Sequence, residues 1–216
     1  MSSLAGGVDE AGRGCIVGPL VVAGVSASRA GVRSLKEMGV KDSKLLSPRR
    51  REALYPEILR VCGRHSMVRV PPAEIDAAVG SRSRKLNYLE AVYFAKVIER
   101  LGARQVTVDA CDVVPGRFGD AIRAKLKSRC KVTALHKADR DFVIVSAASV
   151  VAKVERDRAV EELRRRHGDF GSGYPSDPKT RAYFTRLLRE GGGRPDWTRK
   201  SWGSWERFQQ TLLTPP

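Results

Sequence analysis

The stretch GVDEAGRGCIVGPLVVAGV, residues 7–25, decides how the chain begins to fold. Residues 4–8 and 15–25 read as two β-strands around a glycine-rich corner, punctuated by Gly12, Gly14 and Gly18. Pro19 lacks the N–H that a ladder needs, so it suits an edge or a bulge better than a strand centre. Asp9 and Glu10 fall at the end of the first strand. Adjacent strand residues point to opposite faces, so these two acids share a site only if the chain bends there, which Gly12 and Gly14 make easy.

Farther along, Ser47 is placed to cap a helix whose first residue is Pro48. Residues 65–70 form a short strand closed by Pro71 and Pro72. Leu89, Val92, Val97 and Leu101 mark one face of a helix over 87–101. QVTVDA, residues 105–110, alternates like a strand, 117–129 reads as a basic helix, and 131–135 as another strand. A long helix is expected from Ser146 to about residue 166, with Val150, Val151, Val154 and Leu163 as its apolar stripe. GSGYPSDP, residues 171–178, breaks the chain before a last helix over 178–190 and a tail bearing Trp197, Trp202 and Trp205. Strands followed by alternating strands and helices give a mixed α/β class.

The 216 residues suffice for one core. Forty Lys and Arg against 24 Asp and Glu leave a formal charge of +16, a self-repulsion that points to an anionic partner, nucleic acid ahead of an anionic membrane surface. The longest apolar run, residues 15–25, is far short of the roughly 20 needed to cross a bilayer. The first residues carry two acids where an export signal needs a basic end, so a cytoplasmic protein with no membrane partner is expected. Cys15, Cys62, Cys111 and Cys130 show no metal-like or paired spacing and read as reduced thiols.

In so cationic a chain the position of the acids is informative. Asp9 and Glu10, Asp109 and Asp139 come from three distant segments, each at a strand end or a strand–helix junction. Any one of them alone reads as a cap or an arginine partner. Converging, they form the hard oxygen set that holds two divalent cations at a phosphodiester. Spacing alone leaves Asp112 and Asp141 as competitors. Gly12 and Gly14, which lack side chains, let the backbone around Arg13 approach a ligand such as a 2′-hydroxyl, or form a tight hairpin that leaves Arg13 unexplained. Tyr174 suits a stacking role or a plug over a core edge in equal measure. Ser43 and Lys44 offer donors to phosphate or form a solvated loop. Arg123, Lys125, Lys127, Arg129, Arg199 and Lys200 are candidates to hold a duplex backbone.

The opening motif resembles that of the type 2 ribonucleases H, the ribonuclease HII family. Archaeal-type signatures follow in order: KDSKLLSP, VDACDV, HKADRDFVIVSAASVVAKVERDR, GSGYPSDP and RKSWGSW. The resemblance implies a ribonuclease H-like fold, a central mixed five-stranded sheet flanked by helices. Residues 1–170 would be the catalytic domain and 171–216 a C-terminal helical extension packed on it. It also implies an endonuclease that hydrolyses the RNA strand of RNA–DNA hybrids and cuts 5′ to single ribonucleotides in duplex DNA, leaving 3′-hydroxyl and 5′-phosphate ends. A role in ribonucleotide removal and primer removal, and a monomeric state, go with this.

By the same resemblance Asp9, Glu10, Asp109 and Asp139 are the catalytic ligands of Mg²⁺ or Mn²⁺ in a two-metal site. Gly12, Arg13, Gly14 and Tyr174 read the ribonucleotide. The end, FQQTLLTPP, offers a faint sliding-clamp peptide without its closing aromatic pair. The rivals are another carboxylate nuclease of this fold, which has no use for the GRG loop, and a non-catalytic nucleic-acid-binding module, which has no use for the acids.

Overall fold

The computed structural model describes residues 4–40, 45–81 and 85–213, with side chains to 211. Five strands, β1 (Ala5–Ala11), β2 (Leu20–Ala27), β3 (Arg64–Val70), β4 (Gln105–Asp109) and β5 (Lys131–Leu135), form one mixed sheet in the order β3-β2-β1-β4-β5. β1 runs antiparallel to β2 and parallel to β4, and β4 runs parallel to β5. The expected mixed five-stranded sheet flanked by helices is what the chain forms.

Helices cover both faces because β1 and β2 are apolar on both. On one face lie α1 (Arg29–Glu37), α2 (Pro48–Cys62) and the 25-residue α7 (Val143–His167); on the other lie α3 (Pro72–Gly80), α4 (Leu86–Leu101) and α5 (Pro115–Arg123). Two glycines set how closely they approach. A Cβ on Gly7 of β1 would lie 2.3 Å from the Ile144 carbonyl oxygen, so the start of α7 rests directly on the central strand. A Cβ on Gly24 of β2 would lie 2.6 Å from Val97, which lets α4 settle on the opposite face.

A third cluster joins the end of the chain to this body. Ile16, Val17 and Val160 pack with Phe170, with Phe184 of α8 (Pro178–Arg189) and with Trp205 and Phe208 of α9 (Ser204–Leu213). Trp205 is buried and donates its indole N–H to the Arg199 carbonyl at 3.0 Å. The tryptophan tail is therefore a satellite core.

Several boundaries move from their sequence positions. Residues 15–17 belong to the buried loop before β2, with Ile16 and Val17 in the third cluster, and β2 starts just after Pro19. Pro72 opens α3 rather than only closing β3, and Ser28 caps an α1 that periodicity did not reveal. The basic helix stops at Arg123 because Glu99 accepts from the N–H groups of Lys127 and Ser128, drawing the chain out of helical register. α7 begins at Val143, three residues before Ser146. That hydroxyl instead donates at 2.6 Å to the Asp139 carbonyl in the short helix α6 (Ala138–Asp141). Among the described residues no helix is long and apolar enough to cross a membrane.

Gly7→Ala should force a backbone shift between β1 and α7. An overpacking cost of about 1–3 kcal/mol corresponds to a fall in Tm of roughly 3–10 °C in a thermal melt. An unchanged Tm would contradict the close packing.

Candidate active site

The parallel strands β1, β4 and β5 all deliver their C-terminal ends to one edge of the sheet, where open α/β sheets form crevices. β1 pairs with β4 only as far as Val8 with Val108, so the two strands diverge where Asp9 and Asp109 begin. Asp139 enters from α6, just after β5. One carboxylate oxygen from each of Asp9, Asp109 and Asp139 lies within 4.8 Å of the others. Together with Glu10, Gly12, Arg13, Gly14 and Tyr174 they line a cleft of about 500 Å³.

Glu10 stands apart from that trio. It alternates away from Asp9, and its carboxylate is pushed up by burial and then by the charges of Asp9 and of Glu90 on α4. Glu10 Oε2 is buried without a hydrogen-bond partner among the described residues. The competitors settle elsewhere. Asp112 accepts from Arg117, Asn87 and the Val114 N–H, and the Arg117 bond is the main cause that draws it down to about 2. Asp141 is exposed and pairs with Arg140.

The trio is held by short contacts. Asp109 accepts from the Ala138 N–H at 2.8 Å, tying β4 to α6, and Asp9 accepts from the Glu10 N–H at 2.7 Å. Ser149 and Lys153, one turn apart on α7, face Asp9, and Lys153 donates to the Ser149 hydroxyl at 2.7 Å. Burial, and after it the Asp109 charge, still push the Asp9 carboxyl up to about 6. Desolvation and a like charge both favour the neutral form of a carboxyl, and clustered acids feel the two together. Three converging carboxylates, with Glu10 beside them carrying an unsatisfied buried oxygen, fit a hard divalent cation.

The loop beside the acids is built from both ends of the chain. Gly12 has φ +87, and a Cβ there would meet the Pro19 carbonyl oxygen at 3.0 Å. A Cβ on Gly14 would sit 4.0 Å from the Tyr174 ring, so Gly14 and Tyr174 face each other across a notch. Tyr174 is 36% exposed and lies over Arg156, whose guanidinium is 4.7 Å from the ring centroid. Arg156 in turn donates to the Cys15 sulfur at 2.8 Å and to the Ser172 carbonyl at 2.6 Å. The Arg13 side chain turns from the cleft floor to form an ion pair with fully buried Glu90 and to donate to Asn87 at 2.8 Å.

Arg199 corrects the sequence reading. It has 0% exposure and cannot hold a duplex backbone. Its guanidinium donates to the carbonyls of Gly12 and Arg13, each at 2.6 Å, and of Gly18 at 3.3 Å. Arg123 donates to the Val132 carbonyl at 2.7 Å and pairs with Asp120, and its side chain stays 44% exposed. Lys127, Arg129 and Lys200 remain exposed. Ser43 and Lys44 lie outside the described residues. The sequence assigns no role to Glu90 or Arg156, and it places Arg199 on the surface where the fold buries it. Only Glu90 carried a signal, since it shares the buried face of α4 with Tyr93, Phe94 and Val97.

Comparison with known proteins accords with this geometry. A family model described as ribonuclease HII matches residues 6–204. The ribonuclease HII of Cenarchaeum symbiosum is 50% identical over 196 residues, 91% of this chain and 93% of its own length. The crystal structure of ribonuclease H2 from Pyrococcus horikoshii OT3 is similar with a TM-score of 0.88 and 38% identity, over 98% of this chain and 100% of that one. The PCNA:RNase HII complex from Archaeoglobus fulgidus contains a chain with a TM-score of 0.86 and 40% identity, over 95% of this chain and 97% of that one. With its sheet, its cleft and nearly its whole length shared in this way, the protein is a ribonuclease H hydrolase and belongs to the ribonuclease HII family.

Proposed function

We propose that the cleft hydrolyses the RNA strand of RNA–DNA hybrids and cuts 5′ to single ribonucleotides embedded in duplex DNA. The observation that carries this reading is the convergence of Asp9, Asp109 and Asp139 beside a glycine loop that faces Tyr174. Asp9, Glu10, Asp109 and Asp139 would hold two Mg²⁺ or Mn²⁺ ions. When bound, such cations supply Lewis-acid stabilisation of charge at the scissile phosphate. The chain's own residues seat the substrate. The Gly12–Gly14 loop and Tyr174 take the ribose, and a deoxyribose there leaves polar backbone groups without a partner. Water attacks phosphorus, the bond from phosphorus to the 3′-oxygen breaks, and the products are a 3′-hydroxyl and a 5′-phosphate.

No side-chain nucleophile is required. His136 is bonded to the Val113 carbonyl at 3.2 Å and does not line the cleft. In this reading residues 1–170 form the catalytic domain and 171–216 an extension that completes the ribose notch. The protein acts as a cytoplasmic monomer in ribonucleotide and primer removal. The PCNA-bound relative also supports a sliding-clamp contact through the tail. Phe208 is buried in the satellite core, so any such contact falls to residues after it.

Asp109→Asn keeps the Ala138 contact through its amide oxygen and should lower cleavage of an RNA–DNA hybrid by about a thousandfold or more, with hybrid affinity within a few-fold. Retained turnover at saturating Mg²⁺ would remove Asp109 from the site. Tyr174→Ala should lower cleavage at a single ribonucleotide by about tenfold, the scale of one lost contact, at nearly unchanged Tm. A collapse of Tm instead would make the ring a plug.

The raised Asp9 carboxyl gives a pH signature. A carboxyl that titrates near 6 in the fold and near 3.8 unfolded binds more protons when folded. Its contribution to stability is therefore full below about pH 4 and is lost as pH rises through about 6. In EDTA, this part of the Tm should fall between pH 5 and 7. Asp109→Asn should flatten that fall, and Mg²⁺ at pH 7 should raise the wild-type Tm. Calorimetry showing no Mg²⁺ effect at pH 7 would count against a cation site.

A further inference from the structure

Arg199 is a fully buried cation whose guanidinium has no carboxylate partner among the described residues. Its donors go to three carbonyls, those of Gly12, Arg13 and Gly18. Its own backbone is fixed at both ends. The Arg199 N–H donates to the Ile16 carbonyl at 2.8 Å, and its carbonyl accepts from the Trp205 indole at 3.0 Å. The Trp202 ring covers the guanidinium at 4.9 Å. Desolvation of this kind is costly and draws Arg199 down to about 10, so a guanidinium here must be balanced by what it organises.

What it organises follows from peptide geometry. In a trans peptide the C=O of one residue and the N–H of the next point in opposite directions. Arg199 draws the Gly12 and Arg13 carbonyls inward, so the N–H groups of Arg13 and Gly14 turn outward. Gly12, Arg13 and Gly14 all line the cleft, and Gly14 faces Tyr174. The Gly12 carbonyl also accepts from the Cys15 N–H at 3.2 Å, so without the guanidinium it is the Arg13 carbonyl that loses its inward partner, and the Arg13–Gly14 peptide is free to flip and present an acceptor instead.

We propose that Arg199 is the positioning residue for ribose selection, holding the Arg13 and Gly14 N–H groups as donors toward a 2′-oxygen. The proposal rests on the reading of the Gly12–Gly14 loop as the ribose site. It makes the C-terminal segment a determinant of selectivity, although no part of Arg199 reaches the substrate. Lysine at this position keeps the charge but has a single head and cannot serve three carbonyls in a fork.

The test measures kcat/KM on a DNA duplex carrying one ribonucleotide, with the all-DNA duplex as a competitive inhibitor reporting DNA affinity. Arg199→Lys should lower kcat/KM about tenfold, the scale of one weakened hydrogen bond, with the inhibition constant of the all-DNA duplex unchanged within twofold. Ile122→Val, which loosens the core beneath α5 and lies outside the cluster that fastens Arg199, should lower Tm and leave both values near wild type. If Arg199→Lys lowers kcat/KM only in step with weaker all-DNA inhibition, the role is merely structural and the proposal is overturned. Wild-type values in Arg199→Lys overturn it as well. If the wild-type protein binds both duplexes equally and cuts neither selectively, the loop reading itself fails first. Should Arg199→Lys not fold, the wild-type protein decides by NMR in EDTA. The Arg13 and Gly14 amide resonances should shift on adding the ribonucleotide duplex and not the all-DNA duplex, and equal behaviour with both contradicts the proposal.

Discussion

Mutual repulsion among buried carboxylates is the constraint around which the rest of this molecule is arranged. Asp9, Asp109 and Asp139 bring oxygens within 4.8 Å of one another at the bottom of a cleft, where water cannot screen them well. Burial and this crowding hold the Asp9 carboxyl near 6 and push Glu10 up as well. A fold tolerates such a cluster only on a rigid support. Here the support is the paired strands β1 and β2, pressed against α7 at Gly7 and against α4 at Gly24, with β1 and β4 diverging where the acids begin. Under the proposed function, the same feature that costs stability in the cation-free protein would give the site its affinity for hard divalent ions.

Around the acids runs a set of buried or half-buried cations that do not neutralise them directly. Arg13 is committed to Glu90 and Asn87, Arg156 to Cys15, Ser172 and the Tyr174 ring, and Arg199 to the loop carbonyls. Arg156 and Arg199 fix backbone and an aromatic ring at the edge of the cleft, and Arg13 ties the loop to α4. The net charge of +16 thus divides into an exposed share that attracts a polyanion and a buried share that shapes the notch. The tail contributes to the buried share. Its aromatic cluster of Phe170, Phe184, Trp205 and Phe208 fastens the segment that carries Arg199.

The central elements were legible because their patterns are local and long. QVTVDA alternates, the 87–101 stripe is periodic, and the acids sit inside extended motifs whose order matches one family. Asp109 could be told from Asp112 only through motif alignment, and the structure gives the physical reason: Asp112 is saturated by Arg117, Asn87 and a backbone N–H. Other features depend on contacts distant in sequence and left no local trace. Arg199 sits in a stretch, RKSW, that reads as a solvated basic tail, and only its fit beneath the Gly12 turn buries it. The early end of α5 follows from Glu99, 28 residues before Lys127. Glu10 looks equivalent to Asp9 in sequence, yet strand alternation sends it toward Glu90 and out of the tight trio.

In the proposed function one cleft combines a cation-dependent hydrolytic centre with a ribose reader. Incubation of an end-labelled DNA duplex carrying one ribonucleotide with Mg²⁺, beside the all-DNA duplex, tests both halves at once. The expected result is a single cut on the 5′ side of the ribonucleotide, abolished by EDTA, and an intact all-DNA control. Equal cutting of both duplexes, or a cut that persists in EDTA, would contradict it.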